Sequence, residues 1–383
     1  LNIDRSLYGT IKIKVDVTSE LNNTTPVLNK LTVKWMDKMT WRDEFYGDAR
    51  AARLMGVDAA NGILGPDPAA WLSSQLIFSS LRNDTGYNWK SQAFVDVGGL
   101  DYLSRSPLEF PTRGTAAFDV ADVDGNGFND IVFAVHRTSD TNFAATSPLF
   151  LTSVTGWRPQ ADHTFPTTGA ADVLLEDLDD DGYMDVVFAQ EMEAQGDYTV
   201  NSTLFWGSAD GWATTPDVEF ITTGAVDVEA FDHDGDDDLD LVFACYKSSS
   251  TDIDSMVFTQ GPDGFNGSSP SVYVGTQAAR AVAVGDLNKD TYMDLVFANS
   301  FSGGLAEIDS WIYWGDSAGT YNSPRTNLPT VGAEDVAIAD VNGDTHLDIV
   351  FANSVDNAQS RDVSSYVYIN DGSGGFSTKA DHE

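Results

Sequence analysis

The sequence predicts an all-β fold, a β-propeller of seven blades with six as the alternative count. Three observations predict it. A single acidic phrase recurs five times, its copies keep an almost constant spacing, and every copy is flanked by strand-type rather than helix-type patterning. The copies are ADVDGNGFNDIVFA, EDLDDDGYMDVVFA, FDHDGDDDLDLVFA, GDLNKDTYMDLVFA and ADVNGDTHLDIVFA. Their first loop aspartates, Asp122, Asp177, Asp232, Asp286 and Asp340, stand 55, 55, 54 and 54 residues apart. A unit of that length accommodates four short strands with tight turns, the size of one propeller blade.

Within each unit the elements follow in order. Before the loop, apolar residues alternate, as at Val173 and Leu175 or Val282 and Val284, which is the period of a half-buried strand. After it comes Asp-(Ile/Val/Leu)-Val-Phe-Ala, an uninterrupted apolar run of the kind buried on both faces. Third strands are predicted at Thr203-Leu-Phe-Trp-Gly, Trp311-Ile-Tyr-Trp-Gly and Tyr366-Val-Tyr-Ile-Asn, and a fourth at Asp217-Val-Glu-Phe ahead of a Thr-Gly-Ala turn.

Oxygen-bearing side chains occupy positions 1, 3, 5 and 9 of each loop. They are Asp122, Asp124, Asn126 and Asp130; Asp177, Asp179, Asp181 and Asp185; Asp232, Asp234, Asp236 and Asp240; Asp286, Asn288, Asp290 and Asp294; and Asp340, Asn342, Asp344 and Asp348. Calcium takes six to eight hard oxygen ligands in flexible geometry, and this spacing lets a tight loop turn them inward while position 7 offers its carbonyl. Phe128, Tyr183, Asp238, Tyr292 and His346 hold position 7, a variety that a backbone ligand permits. Five calcium ions are therefore expected, one per loop. An EF-hand is excluded, because the first loop has Phe133 at position 12, where that motif needs glutamate, and strand residues follow. The alternative of plain acidic turns is disfavoured, since like charges about 4 Å apart cost on the order of 4 kcal/mol per pair at an effective dielectric of 20.

These repeats resemble the FG-GAP or VCBS family, the blades of integrin α-subunit propellers and of many microbial surface proteins. The likeness covers residues 116–383, the predicted five-blade domain. It implies structural calcium on one face and ligand binding on the other, here through loops near 135–147, 190–202, 246–255, 299–310 and 353–364. Residues 43–115 are expected to form one or two calcium-free blades, with Gln75-Leu-Ile-Phe as a third strand and Phe110-Pro-Thr matching Phe165-Pro-Thr of the next unit. Residues 1–42 carry two alternating strands, 10–18 and 30–36, which would close the propeller, cap it, or pair with another subunit.

Charge narrows the partners. Of the formal net charge of -38, none arises in residues 1–115, where 13 acids meet 13 bases; residues 116–383 hold 46 acids and 8 bases. Such a field repels phosphate backbones and anionic membranes, so no nucleic-acid partner is expected, and no run of about 18 apolar residues exists to span a bilayer. Cys245, the single cysteine, follows Val-Phe-Ala and reads as a small buried hydrophobe. The chain opens at Leu1 without methionine or leader, as a processed form or an excised piece would. Sequons at Asn22, Asn23, Asn83, Asn201 and Asn266 are compatible with export and glycosylation.

The expected role is thus a secreted or cell-surface module that binds a protein or glycan or assembles a surface layer or filament, with self-association through the amino-terminal strands. The alternative is a secreted polysaccharide lyase or glycosidase. For that chemistry the predicted upper loops offer His136, Arg137, Lys247 and Arg361, on separate blades, and no nucleophile elbow, zinc site or phosphate loop is present. No catalytic residue is assigned. Arg280 and Glu334, each six residues before its loop aspartate, are expected to approach each other across a blade boundary.

Overall fold

A computed structural model describes residues 52–55, 75–81, 87, 90–95, 108–153, 156, 160–248, 250–321 and 325–382. The expected strands at 10–18 and 30–36 lie outside the described residues. Those described contain no helix and form a succession of antiparallel sheets. The first comprises β1 (Ala52–Met55), β2 (Gln75–Phe78), β3 (Ser91–Val95) and β4 (Leu108–Phe110). The second comprises β5 (Thr115–Ala121), β6 (Asp130–Val135), β7 (Ala144–Phe150) and β8 (His163–Thr168), and the third β9 (Ala170–Glu176), β10 (Asp185–Gln190), β11 (Ser202–Phe205) and β12 (Val218–Phe220).

In the fourth sheet β13 (Ala225–Phe231), β14 (Asp240–Cys245) and β15 (Asp252–Phe258) are joined by β18 (Val272–Gln277), with a small ribbon, β16 (Gln260–Gly261) and β17 (Gly264–Phe265), between them in sequence. The fifth holds β19 (Ala279–Gly285), β20 (Asp294–Asn299), β21 (Asp309–Tyr313) and β22 (Thr326–Pro329). The sixth holds β23 (Ala333–Ala339), β24 (Asp348–Asn353) and β25 (Tyr366–Tyr368), with a single bridge from Val367 to His382 on its outer side.

The second strand of each acidic unit is the most buried. Every residue of β6, β10, β14 and β20 is buried, as an apolar strand covered on both faces requires. The cover comes from neighbouring sheets. Phe231, Val242, Val257 and Val274 of the fourth sheet pack with Val282, Leu295, Phe297, Trp311 and Tyr313 of the fifth, and similar apolar clusters join each described sheet to the next. First strands of consecutive sheets also bond directly. Asp119 accepts from Leu175 N–H at 2.9 Å, Asp172 from Val228 N–H at 3.3 Å and Asp227 from Val282 N–H at 2.8 Å. The arrangement is β-propeller-like. Cys245 is fully buried, as its context predicts.

A β-bulge falls at one register position in all five acidic units, at Ala116, Ala171, Val226, Arg280 and Glu334. Bulges re-aim the side chain they carry, and here they bring Arg280 Nε within 3.7 Å of Glu334 Oε2 across the sheet boundary, as expected. Just before the bulge a left-handed residue presses on the segment that follows the second strand. A Cβ at Gly169 would lie 2.0 Å from the Met192 carbonyl oxygen, so glycine is sterically required there.

One strand is placed differently from its sequence reading. Gln75–Phe78 lies between β1 and β3, which makes it the second strand of its sheet rather than the third. Its apolar Leu-Ile-Phe matches both places in the repeat. What decides is the pairing that follows: the Ser80 carbonyl accepts from Thr115 N–H at 3.1 Å, and Ser79 Oγ donates to the Ala116 carbonyl at 2.8 Å.

Candidate metal centre

Each loop is a cage of carboxylates closed over its own backbone. In the first two loops the position 1 aspartate accepts from the N–H of position 5, at 3.0 Å in Asp122–Asn126 and 3.1 Å in Asp177–Asp181, and its other oxygen accepts from position 6, at Gly127 and Gly182; in the third, Asp232 accepts from Gly235 and Asp237 at positions 4 and 6. Position 5 accepts in turn from the N–H of position 7, at 2.8 to 3.0 Å in all five loops. Wrapping this tightly needs left-handed backbone at positions 4 and 6. All five loops have it: Gly125 and Gly127, Asp180 and Gly182, Gly235 and Asp237, Lys289 and Thr291, Gly343 and Thr345. Glycine adopts that conformation freely, whereas β-branched threonine does so under strain.

Position 9 is the hinge between loop and core. Asp130, Asp185, Asp240, Asp294 and Asp348 open the second strands and are almost wholly buried. One oxygen of each accepts from the position 2 N–H at 2.8 to 3.0 Å. The other accepts from a backbone N–H just past the third strand, at Thr152, Gly207, Gln260, Gly315 or Asn370, at 2.6 to 2.9 Å. Burial, reinforced by the carboxylates at positions 1, 3 or 5, pushes the carboxyl pKa of Asp130, Asp185, Asp240 and Asp294 up to about 7. A cation in the loop would oppose both effects.

In three loops the donors already converge. One carboxylate oxygen from each of Asp122, Asp124 and Asp130, of Asp177, Asp179 and Asp185, and of Asp232, Asp234 and Asp240 lies within 4.8 Å of the others. A hard cation with bonds near 2.3 to 2.6 Å fits among oxygens so spaced. In the fourth and fifth loops position 3 is asparagine, whose amide donates to position 5, Asn288 to Asp290 at 3.0 Å and Asn342 to Asp344 at 2.9 Å. The position 7 side chains Tyr183 and Tyr292 are exposed, by 40% and 38%.

A second periodic feature escapes the sequence reading. Opposite the acidic loops, a third-strand serine bonds a threonine in or just past the fourth strand in five sheets: Ser91–Thr112, Ser147–Thr167, Ser202–Thr222, Ser255–Thr276 and Ser310–Thr330, at 2.8 to 3.0 Å. All ten residues are buried. In four of these sheets the serine also accepts a second-strand N–H, from Val135, Gln190, Cys245 or Asn299. The available signal was the threonine register, always ten residues before the loop aspartate or, for Thr112, before Asp122.

The same end gathers residues that stand apart in sequence. His136 and Glu191 occupy one register position on successive sheets, and Nε2 and Oε2 meet at 2.8 Å with both side chains buried. Lys247 lies over the Tyr198 ring at 5.6 Å, and Arg280 over the Tyr246 ring at 3.5 Å. Arg137 instead turns to Tyr87 and Phe143, and Arg361 is exposed.

Residues 286–351, from the fourth loop through the second strand after the fifth, match the FG-GAP-like repeat family model. The chain carries FG-GAP-like repeat sequence. The other three acidic loops share with this stretch the register, the bond from the position 7 N–H to position 5 and that from the position 2 N–H to position 9. No curated protein matches the chain. Among solved structures it is similar to the V. cholerae biofilm matrix protein Bap1, with 16% identity and a TM-score of 0.44, covering 77% of this chain and 43% of that one. It is also similar to a putative 6-phosphogluconolactonase from Bacteroides uniformis, with 13% identity and a TM-score of 0.47, covering 75% of this chain and 76% of that one. The chain thus spans less than half the length of Bap1. Among the described residues no helix is long and apolar enough to cross a membrane.

Proposed function

We propose that this chain is an extracellular, calcium-stabilised β-propeller that serves as a non-enzymatic adhesion or surface-assembly module. The observation that carries the reading is the fivefold repetition of one oxygen cage, with donors converged within 4.8 Å in three copies. Each loop joins the first and second strands of a sheet, so an ion there braces the sheet where its carboxylates would otherwise repel. Such sites, tuned by ligand charge, suit the millimolar calcium found outside cells. The ligands would be the side chains at positions 1, 3, 5 and 9 and the carbonyl at position 7, giving five ions in all.

On this reading residues 116–383 supply five calcium blades, and residues 43–115 one or two calcium-free blades, one of them the sheet β1–β4. The segment 1–42, in the part of the chain without charge imbalance and outside the described residues, would close the propeller, cap it or pair with another subunit. Partners are a protein or glycan at the cell surface. Fractionation of producing cells tests the location: the protein is expected in the surface or secreted fraction, and recovery in the cytosol would contradict the proposal.

One observation favours a second reading, a polysaccharide-degrading enzyme. The buried His136–Glu191 pair lies in the same neighbourhood as Tyr198, whose hydroxyl pKa burial and then the nearby Glu191 raise. A histidine held by a carboxylate near a tyrosine can serve as an acid–base set. Depolymerisation of an acidic or neutral polysaccharide, abolished in His136→Asn, would establish it; inactivity across the panel would remove it.

A further inference from the structure

On the outer side of the fourth and fifth sheets lies an open cleft of about 370 Å3 lined by Tyr273, Gly275, Tyr313, Tyr321 and Arg325; at its floor Tyr321 stacks on His233 of the third acidic loop and donates to the Met293 carbonyl of the fourth at 3.1 Å. Its origin is a missing side chain. At the register position of Gly275 the other units carry Pro111, Pro166, Ile221 and Pro329. One repeat later, Tyr368 donates its hydroxyl to the Pro329 carbonyl, just as Tyr313 donates to the Gly275 carbonyl at 2.6 Å. Pro329 carries a ring where Gly275 carries nothing. A Cβ at Gly275 would meet only Asp254 Oδ1 at 3.7 Å and the Tyr313 hydroxyl at 3.8 Å, so the space is open and bordered by one carboxylate and one hydroxyl.

The walls are chemically specific. Tyr273, two residues along β18 and so on the same face as Gly275, is 60% exposed, the most exposed of the large hydrophobic side chains among the described residues. Its counterparts in the other units are Glu109, Thr164, Glu219 and Asn327. Across the cleft the Arg325 guanidinium stacks on the Trp311 ring at 3.5 Å, and Nη1 lies 3.4 Å from the Tyr313 hydroxyl. The stack fixes the fork of donors before any ligand arrives.

We infer that this cleft binds a neutral pyranose unit of a glycan, whose C–H face lies on Tyr273 while vicinal hydroxyls bond Asp254 and Arg325. An exposed aromatic plane flanked by one acceptor and one planar donor matches a sugar ring, which is apolar on its faces and hydrogen-bonding around its rim. The volume falls in the range of small-molecule sites. Neutrality follows from charge, since residues 116–383 hold 46 acids against 8 bases and would repel a polyanion. The inference names the ligand class within the surface-module reading; the residues that contact the sugar, Asp254, Tyr273 and Arg325, lie in none of the five loops, and with calcium held saturating the two readings fail separately.

The test is a neutral oligosaccharide array of gluco-, manno- and galacto-hexaoses, followed by calorimetric titration of the best binder in saturating calcium. Wild type is expected to bind at least one, with Tyr273→Ala and Gly275→Ile each weakening it at least tenfold while melting stays within about 2 °C of wild type. Oligogalacturonate is the anionic control. No neutral ligand, binding of oligogalacturonate alone, or an affinity that neither substitution changes would overturn the assignment.

Discussion

The two ends of the second to fifth sheets are held by opposite chemistry. At one end, exposed loops crowd carboxylates around backbone N–H groups, and a buried aspartate at position 9 ties loop to core. At the other, a buried serine and threonine join second, third and fourth strands through neutral hydroxyls. Both devices keep the same register along the chain, yet only the first concentrates like charge. The difference teaches where a cation would matter: if the proposed ions fill the acidic loops, perturbations at the two ends should respond differently to calcium.

The largest separation is expected at position 9. Replacing Asp240 with Ala leaves the buried N–H groups of His233 and Gln260 without an acceptor, a loss of about 3 kcal/mol from hydrogen bonds to a charged group. Part of that loss should vanish in chelator, because the mutant also forfeits its ion; denaturant melts in the two buffers measure it, and an identical loss in both would break the comparison. A smaller effect is expected at the other end. Ser202→Ala removes the partner of Gln190 N–H and Thr222, about 1 to 2 kcal/mol, and the loss should be the same with calcium or chelator. The smallest is a gain. Thr345 holds a φ of 74°, so Thr345→Gly should stabilise by up to about 1 kcal/mol through relief of left-handed strain; a drop in melting temperature would show that the threonine side chain contributes more than its backbone costs.

Much of this was legible in the sequence because charge and periodicity are loud. The five loops, the buried second strands and the third strands at Ser202–Phe205, Asp309–Tyr313 and Tyr366–Tyr368 follow from alternation and turn residues. The Arg280–Glu334 approach was also legible, since equal offsets from the loop place both on one register position, although the bulge that aims them was not. Serine and threonine left weaker marks. Both are common in strands and turns, and only coordinates show that Ser202 and Thr222 face each other. The Gly275 cleft was invisible for a different reason: a glycine in a strand announces only an absence, and what fills or leaves that space depends on Tyr313 and Arg325 of the next sheet. Gln75–Phe78 was misplaced because three apolar residues fit either of two strand positions.

The measurement that bears most directly on the central claim is metal content together with thermal unfolding of the intact chain, in calcium and after chelation. Five calcium ions per chain and a melting temperature that falls markedly on chelation, then recovers with added calcium, are the expected results. By mass action each site contributes about 2.7 kcal/mol at a hundred times its dissociation constant. A calcium-free protein whose melting is unchanged by chelator would contradict the account of these loops.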